Sequence, residues 1–338
     1  MATGSVDLGD ANLFYEIVSK ETVATVDEIA TKLPEDKAEQ QPESGKVARI
    51  TGVRGTPYRI EIPEMIEGCV VTEIAKKAFL SCRGLREIIV PDGVTEIGEW
   101  AFAYSKHLEV VSLPAKEISF GKDLFLGCES LEKIIFRDSD ASQSANSVPY
   151  LTAKAVIVLD SPFLCNPLEA GSEEWFRQLD ERILSFLEKD DMDGYAELWT
   201  CGEEDYDGKD YDPYSYPKEK RKDKVRMLFF RLFHQDGLKQ ENREKYYEYL
   251  RAHTAGCENQ ETWEVLSEEC GNKHEYYEIF AEAGCLQNEN FDRIMDDLGE
   301  LSERDMTKNY PEMKGYFIRY RQENQKESQD DFFDMFTL

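Results

Sequence analysis

The chain has 338 residues, of which 41% are hydrophobic, and its 40 basic and 69 acidic side chains give a formal charge of −29. This length exceeds what one compact core usually holds and predicts about two globular domains. The acidic charge disfavours nucleic-acid phosphates and anionic membranes as partners and favours proteins with a basic surface. The longest apolar runs, such as 155–159, are far shorter than the roughly 20 residues of a membrane-spanning helix.

The first 45 residues are predicted to form an N-terminal segment, with one helix over 11–18 and a polar linker over 32–46. The segment lacks the basic flank and apolar run of a secretion signal, so we expect a cytoplasmic protein. The eight cysteines include no C-x-x-C pair and no histidine at zinc-ligand spacing. We therefore expect small buried thiols, without disulfides, bound metal or another cofactor.

Four apolar columns recur at a spacing of 23 residues in the next part of the chain. A single amphipathic helix or strand cannot produce four columns with this period, whereas copies of one supersecondary unit, stacked on each other, can. The pattern predicts a β-rich solenoid over 46–165. The columns are Phe79, Phe102 and Phe125; Leu85, Leu108 and Leu131; Ile88, Val111 and Ile134; and Val90, Leu113 and Phe136.

The L-x-x-I-x-V part of each copy alternates with period two, which is typical of a strand with one buried face. The residues between the buried positions should then point outward in rows, one residue from each copy. We expect these rows to be the surface that binds a partner. They consist of Glu87, Val110 and Lys133, and of Ile89, Ser112 and Ile135.

Two complete copies are VTEIAKKAFLSCRGLREIIVP from Val71 and VTEIGEWAFAYSKHLEVVSLP from Val94. They resemble the BspA-like leucine-rich repeat family, whose consensus is close to I-P-x-x-V-T-x-I-G-x-x-A-F-x-x-C-x-x-L-x-x-I-x-I-P. The resemblance covers about 47–136, and the segment that precedes Val71 is similar to the lead-in repeat of that family. It implies a leucine-rich repeat solenoid that acts as a binding surface.

From Ser172 onward the apolar period shifts towards 3.6, which predicts an all-α domain over 170–323. The fold class is therefore α+β, a repeat solenoid followed by helical hairpins. Within this domain AEAGCLQNENFDRIMD is similar to the ankyrin-like hairpin repeats found behind some bacterial leucine-rich repeat regions. Helices are predicted from Ser172 and over 218–233, 240–253, 261–270, 274–283, 288–298 and 311–322.

Three further charged segments could carry contacts. A basic cluster, made of Lys218, Lys220, Arg221 and Lys222 with Lys224 and Arg226, is predicted to contact the acidic loop 203–212, with an external anion as the alternative. Two acidic stretches, 189–200 and 203–214, have the spacing of calcium loops but lack the final glutamate, so no calcium site is predicted.

The acidic-aromatic tail, 324–338, ends in a density of large apolar side chains that a disordered tail normally avoids. We expect Phe332, Phe333 and Phe336 to dock on the helical domain, and the alternative is a peptide ligand for another protein.

The chain lacks the G-x-G-x-x-G, H-E-x-x-H and nucleophile-elbow motifs, and its four histidines lie in repeat or helix contexts. Our hypothesis is a non-catalytic protein–protein interaction module that uses its solenoid surfaces. The alternatives are an acidic nucleic-acid mimic that inhibits a basic protein, and an unrecognised hydrolase in the helical domain.

Overall fold

The structure is a computed structural model that describes residues 2–19, 45–137, 146–198, 213–271 and 273–334, with side chains omitted for 197, 198 and 325–334. The chain divides into two compact units, 1–182 and 183–338. The first unit is a β-solenoid and the second is helical, which confirms the predicted α+β class.

The first unit contains a seven-stranded sheet whose main path runs β1-β2-β3-β6-β8-β10, with β5 paired to β6. The strands β1, β2 and β3 pair antiparallel, and β3, β6, β8 and β10 pair parallel. Their bounds are β1 Ala2–Asp7, β2 Ala11–Ser19, β3 Lys46–Gly55, β5 Met65–Ile66, β6 Cys69–Ile74, β8 Glu96–Ile97 and β10 Ser119–Phe120.

The second sheet of this unit has four parallel strands in the order β11-β9-β7-β4. They are β4 Arg59–Glu61, β7 Glu87–Ile89, β9 Val110–Pro114 and β11 Lys133–Arg137. Between β7, β9 and β11 the paired residues keep the repeat register, for example Ile88 with Val111 and Val111 with Ile134. Helix α1 (Val148–Ile157) packs on β11, and a 3₁₀ turn (Pro162–Cys165) follows it.

The helix predicted over 11–18 is wrong, because these residues form strand β2. Ala11, Leu13, Tyr15 and Ile17 are buried, and the residues between them point to the other face. Apolar side chains on that other face, such as Phe14, obscured the period-two alternation that marks a strand.

The apolar run 155–159 could be a closing strand by its sequence alone, but it lies in and just after helix α1. Val148, Leu151, Thr152 and Ala155 are buried at the i, i+3, i+4 and i+7 positions of one helical face. An apolar run of five residues cannot be told from a buried helix segment by periodicity alone.

The predicted phenylalanine column is confirmed as a continuous stack in the core of the solenoid. The Phe79 and Phe102 ring centroids lie 5.5 Å apart, and those of Phe102 and Phe125 lie 5.4 Å apart. The turns of successive repeats approach closely beside this stack. A Cβ atom on Gly121 would lie 2.2 Å from the Glu99 amide nitrogen, so this position requires glycine.

The turns that follow Ala75, Gly98 and Gly121 form a second ladder, which we call the turn edge (residues 76–84, 99–107 and 122–130). The amide of Lys77 donates to the Glu99 carbonyl, and the amide of Trp100 donates to the Lys122 carbonyl. Two columns of this edge have left-handed backbone, with φ between 51° and 67°: Lys77, Trp100 and Asp123, and Ser81, Tyr104 and Gly127. Because most of these residues are not glycine, the stacking of neighbouring repeats must hold them in this conformation.

One buried position links neighbouring repeats by side-chain hydrogen bonds. Ser105 Oγ donates to the Phe79 carbonyl at 2.8 Å and accepts from the Cys82 amide at 3.1 Å. Cys128 Sγ donates to the Phe102 carbonyl at 3.1 Å, and burial raises the pKa of this thiol to about 12. The expectation of small buried thiols is confirmed at Cys82 and Cys128.

We expect Ser105→Ala to lower the free energy of unfolding of the solenoid by about 1 kcal/mol, because it removes two buried hydrogen bonds and leaves the Phe79 carbonyl and the Cys82 amide with only their 3.3 Å bond to each other. Ser105→Cys restores a donor of the kind found at Cys128 and should cost less. Hydrogen exchange of peptides that cover residues 79–108 measures both effects. Equal losses in the two variants would contradict a hydrogen-bonding role for the hydroxyl.

The described residues of the second unit are mainly helical. Helix α2 (Glu173–Glu188) begins after Ser172, whose Oγ accepts a hydrogen bond from the Trp175 amide at 3.1 Å. The division between the two units falls within this helix. The other helices are α3 Tyr195–Leu198, α4 Ser215–Phe233, α5 Gln240–Ala252, α6 Glu261–Glu264, α7 His274–Glu282, α8 Phe291–Arg304 and α9 Tyr310–Asp334, and α6 continues as a π-helix over Val265–Glu269. In the part of the chain described here, no helix has the length and apolar character needed to cross a membrane.

Candidate functional site

The predicted outward rows come together on one face of the four-stranded parallel sheet, which we call the sheet face. The pairing places Glu87 beside Val110 and Val110 beside Lys133, and it places Ile89 beside Ser112 and Ser112 beside Ile135. Ser112 is buried, and the other five side chains are partly exposed. Strand β4 extends each row by one residue, Arg59 and Glu61, which the sequence analysis did not include.

Ion pairs between neighbouring strands hold the charged side chains of the sheet face in place. Arg59 Nε lies 3.3 Å from a Glu87 carboxylate oxygen, and at the edge of this face Arg86 and Glu109, which directly precede β7 and β9, pair with each other. Lys133 Nζ lies 4.9 Å from the centre of the Tyr150 ring of helix α1. Each of these exposed pairs contributes little to stability, but together they limit the positions that the side chains can take.

The acidic charge of the chain does not lie in the repeats. Residues 46–137 carry 13 basic and 13 acidic side chains and are therefore neutral. Residues 183–338 carry 21 basic and 38 acidic side chains, a net charge of −17.

The basic cluster on helix α4 contacts carboxylates of its own unit. Lys218 Nζ lies 2.8 Å from Glu264, and Lys222 Nζ lies 3.2 Å from the same carboxylate. Arg221 lies 2.8 Å from Glu261 and 3.0 Å from Asp191, and Lys220 Nζ lies 5.1 Å from the Tyr216 ring centre. The acidic loop 203–212 lies outside the described residues, so its pairing with this cluster stays a prediction.

The Glu264 carboxylate beside the basic cluster is held in its charged form. Burial alone would raise the pKa of Glu264, but hydrogen bonds from Lys218 and Lys222 outweigh it and lower the pKa. The same ion pairs raise the pKa of Lys222 against the effect of burial. The first calcium-like stretch includes Asp191, whose carboxylate already contacts Arg221 and Lys224. Within the described ranges, no three or more His, Cys, Asp or Glu side chains are grouped to hold a metal ion.

The predicted tail contacts lie outside the part of the chain whose side chains are described. The backbone of helix α9 includes Phe332 and Phe333 and ends at Asp334, before Phe336. The docking of the tail therefore stays a prediction.

The turn edge is a surface that was not predicted from the sequence, although the same period of 23 residues defines it. It presents Lys77, Trp100 and Asp123 in one column, with Lys77 Nζ 4.5 Å from the centre of the Trp100 ring and Trp100 Nε1 3.0 Å from the Asp123 carboxylate. The column could have been found by extending the comparison of copies from the apolar positions to the polar ones between them.

The family comparison identifies the solenoid. Residues 59–150 match the model of the BspA type leucine rich repeat region in six copies. This part of the chain is a BspA-type leucine-rich repeat region. The repeats of such regions suggest a protein-interaction module. No curated protein matches the chain.

Three solved structures are similar to part of the chain. A leucine rich cell surface protein from Faecalibacterium prausnitzii is 23% identical, with 39% of this chain and 30% of that chain covered and a TM-score of 0.25. A leucine rich repeat protein from T. pallidum is 24% identical, with 30% and 63% covered and a TM-score of 0.23. A leucine-rich repeat protein from Bacteroides capillosus is 16% identical, with 39% and 98% covered and a TM-score of 0.23. The match therefore spans less than two thirds of the first two proteins.

Proposed function

We propose that the chain is a non-catalytic protein-interaction module whose sheet face binds a partner protein. The observation that carries this proposal is the register of the four parallel strands, which aligns partly exposed side chains in straight rows. Neighbouring rungs of such a sheet lie about 4.8 Å apart, so the rows form a continuous surface on a rigid scaffold. Ile89 and Ile135 supply apolar area, and the flanking ion pairs supply polar contacts, as in typical interfaces.

The charge distribution supports a protein partner more than nucleic-acid mimicry. A mimic needs ordered rows of carboxylates, whereas the columns of the sheet face combine both signs, as in Arg59 beside Glu87 and Arg86 beside Glu109. We place a basic partner surface at the helical unit, which carries the net charge of −17. We also propose a cytoplasmic location, which cell fractionation tests, and the free thiols described in the chain suit a reducing compartment.

The test compares affinity capture from native cell extract, at low and moderate salt, by the unchanged chain and by two single variants, Ile89→Arg and Ile135→Arg. Phe14→Arg is the matched control, because it adds the same side chain to a partly exposed apolar position of strand β2. The captured protein is then purified, and its Kd is measured for each form.

We expect each sheet-face variant to weaken binding at least about tenfold, because an arginine at an apolar interface position leaves an unpaired charge buried. The control should bind as the unchanged chain does. The proposal fails if the captured partner binds all four forms with the same Kd.

A further inference from the structure

The turn edge is a second surface whose charge is opposite to that of the chain as a whole. It contains three acidic residues, Glu99, Asp123 and Glu129, and five basic residues, Lys76, Lys77, Arg83, Lys106 and Lys122. The chain carries a net charge of −29, so this local excess of basic groups is unexpected. Because ordinary salt screens charges beyond about 10 Å, the local excess decides what this edge attracts at short range.

Each carboxylate of the turn edge already has a partner on the same edge. Glu99 pairs with Lys76 at 2.6 Å, and Glu129 pairs with Lys106 at 3.3 Å. Asp123 accepts a hydrogen bond from the Trp100 indole nitrogen at 3.0 Å. The remaining basic groups are those of Lys77, Arg83 and Lys122, and within the described ranges none of them pairs with a carboxylate.

Apolar side chains are exposed among these basic groups. Leu80 and Tyr104 are each 37% exposed, and Leu126 is 44% exposed. They belong to equivalent or neighbouring positions of successive repeats, so the backbone ladder aligns them along the edge. Tyr104 lies over Gly127, where a Cβ atom would be 2.7 Å from Tyr104 Cδ1, so the absence of a side chain at Gly127 leaves room for the ring.

We propose that the turn edge binds an acidic peptide segment of a partner protein, one that carries aromatic or aliphatic side chains between its carboxylates. Charge complementarity selects the acidic groups, which would pair with Lys77, Arg83 and Lys122. The exposed Leu80, Tyr104 and Leu126 select a peptide over a phosphate polymer, because a polymer of phosphates has no apolar side chains to bury there. This surface is separate from the sheet face and does not depend on the function proposed for it.

The experiment measures fluorescence anisotropy of labelled ten-residue probes with the full chain. The main probe carries four aspartates and four phenylalanine or leucine residues, and one comparison probe replaces the apolar residues with serine. A single-stranded oligonucleotide of ten phosphates is the third probe. The test variant is Lys77→Glu with Lys122→Glu, and the control is Arg54→Glu with Arg319→Glu, which makes the same charge change at exposed positions elsewhere.

We expect the main probe to bind the unchanged chain saturably. Its Kd should rise at least tenfold with the Lys77 and Lys122 variant. With the control variant its Kd should stay within twofold of the value for the unchanged chain. Leu80→Ser with Leu126→Ser should also weaken it at least threefold. The proposal is overturned if the main probe binds with a Kd above 1 mM, or if the test and control charge variants lose binding equally. It is also overturned if the serine probe or the oligonucleotide binds as tightly as the main probe. Ile89→Arg should leave this binding unchanged, which separates it from the sheet-face proposal.

Discussion

Replacing Phe102 with alanine is expected to lower the free energy of unfolding of the solenoid by about 3–5 kcal/mol. Phe102 is fully buried and is the central ring of the stack, in contact with both Phe79 and Phe125. Its removal leaves a cavity between two rings that the flanking repeats hold in place, so the site cannot collapse to fill it.

Hydrogen exchange of peptides from the repeats measures this loss separately from the helical unit, since the two units need not unfold together. Leu126→Ala is the matched control, because it removes an apolar side chain of the same solenoid that is 44% exposed. We expect it to cost less than about 1 kcal/mol. A loss at Phe102 no larger than the loss at Leu126 would show that the stack does not stabilise the solenoid.

Asp191→Ala is expected to destabilise the helical unit by about 3–5 kcal/mol, because it removes the counter-charge of a buried ammonium group. Lys224 is 4% exposed, and its Nζ atom lies 2.7 Å from the Asp191 carboxylate and 2.6 Å from the Lys189 carbonyl. Arg221 loses one of its two carboxylate partners in the same variant. Hydrogen exchange of peptides from helix α4, measured at increasing denaturant concentration, gives the loss in free energy of unfolding.

The matched control is Asp193→Ala, two residues away, whose exposed carboxylate lies 4.0 Å from Lys189 Nζ. We expect it to cost less than about 1 kcal/mol. Adding Lys224→Met to Asp191→Ala removes the unpaired charge and should restore much of the lost stability. If the double variant is as unstable as Asp191→Ala alone, the buried charge is not the cause.

The Asp191–Lys224 pair also predicts how the stability of the helical unit depends on pH. Burial alone would raise the pKa of Asp191, but hydrogen bonds from Lys224 and Arg221 outweigh it, so the folded pKa lies below the ordinary value of 3.8. A lowered folded pKa means that this contribution is fully present above pH 3.8 and is lost as the pH falls through the folded pKa. The acid-induced decrease in stability should therefore be smaller in Asp191→Asn.

The structure of the repeats could be predicted in detail because the same residue pattern recurs in each copy along the sequence. Phe79, Phe102 and Phe125 each specify the same local environment, so one column predicted the stack, and the L-x-x-I-x-V pattern predicted which residues point outward. Segments that occur only once in the chain were harder to predict. Ala11–Ser19 and the run 155–159 have no second copy, and their apolar patterns fit both helix and strand.

The contacts of the basic cluster could not be predicted, because they depend on which distant elements pack beside helix α4. Asp191 and Glu261 lie 30 and 40 residues from Arg221, and nothing in their local sequence marks them as its partners. The sequence predicts a contact with the nearest acidic run, 203–212, which lies outside the described residues and stays a prediction. Sequence distance is a poor guide to ion pairs that tertiary packing creates.

The alignment of strands at a fixed spacing limits how this chain can change in length. One residue added inside a copy would turn every later side chain of its strand to the opposite face, exposing leucine and valine to water. A whole additional module of 23 residues, the separation that links Arg86 to Glu109, leaves that alternation intact and lengthens the surface by about 4.8 Å. Descendants of this gene can therefore lengthen or shorten the sheet surface only in discrete steps, by duplicating or losing complete modules.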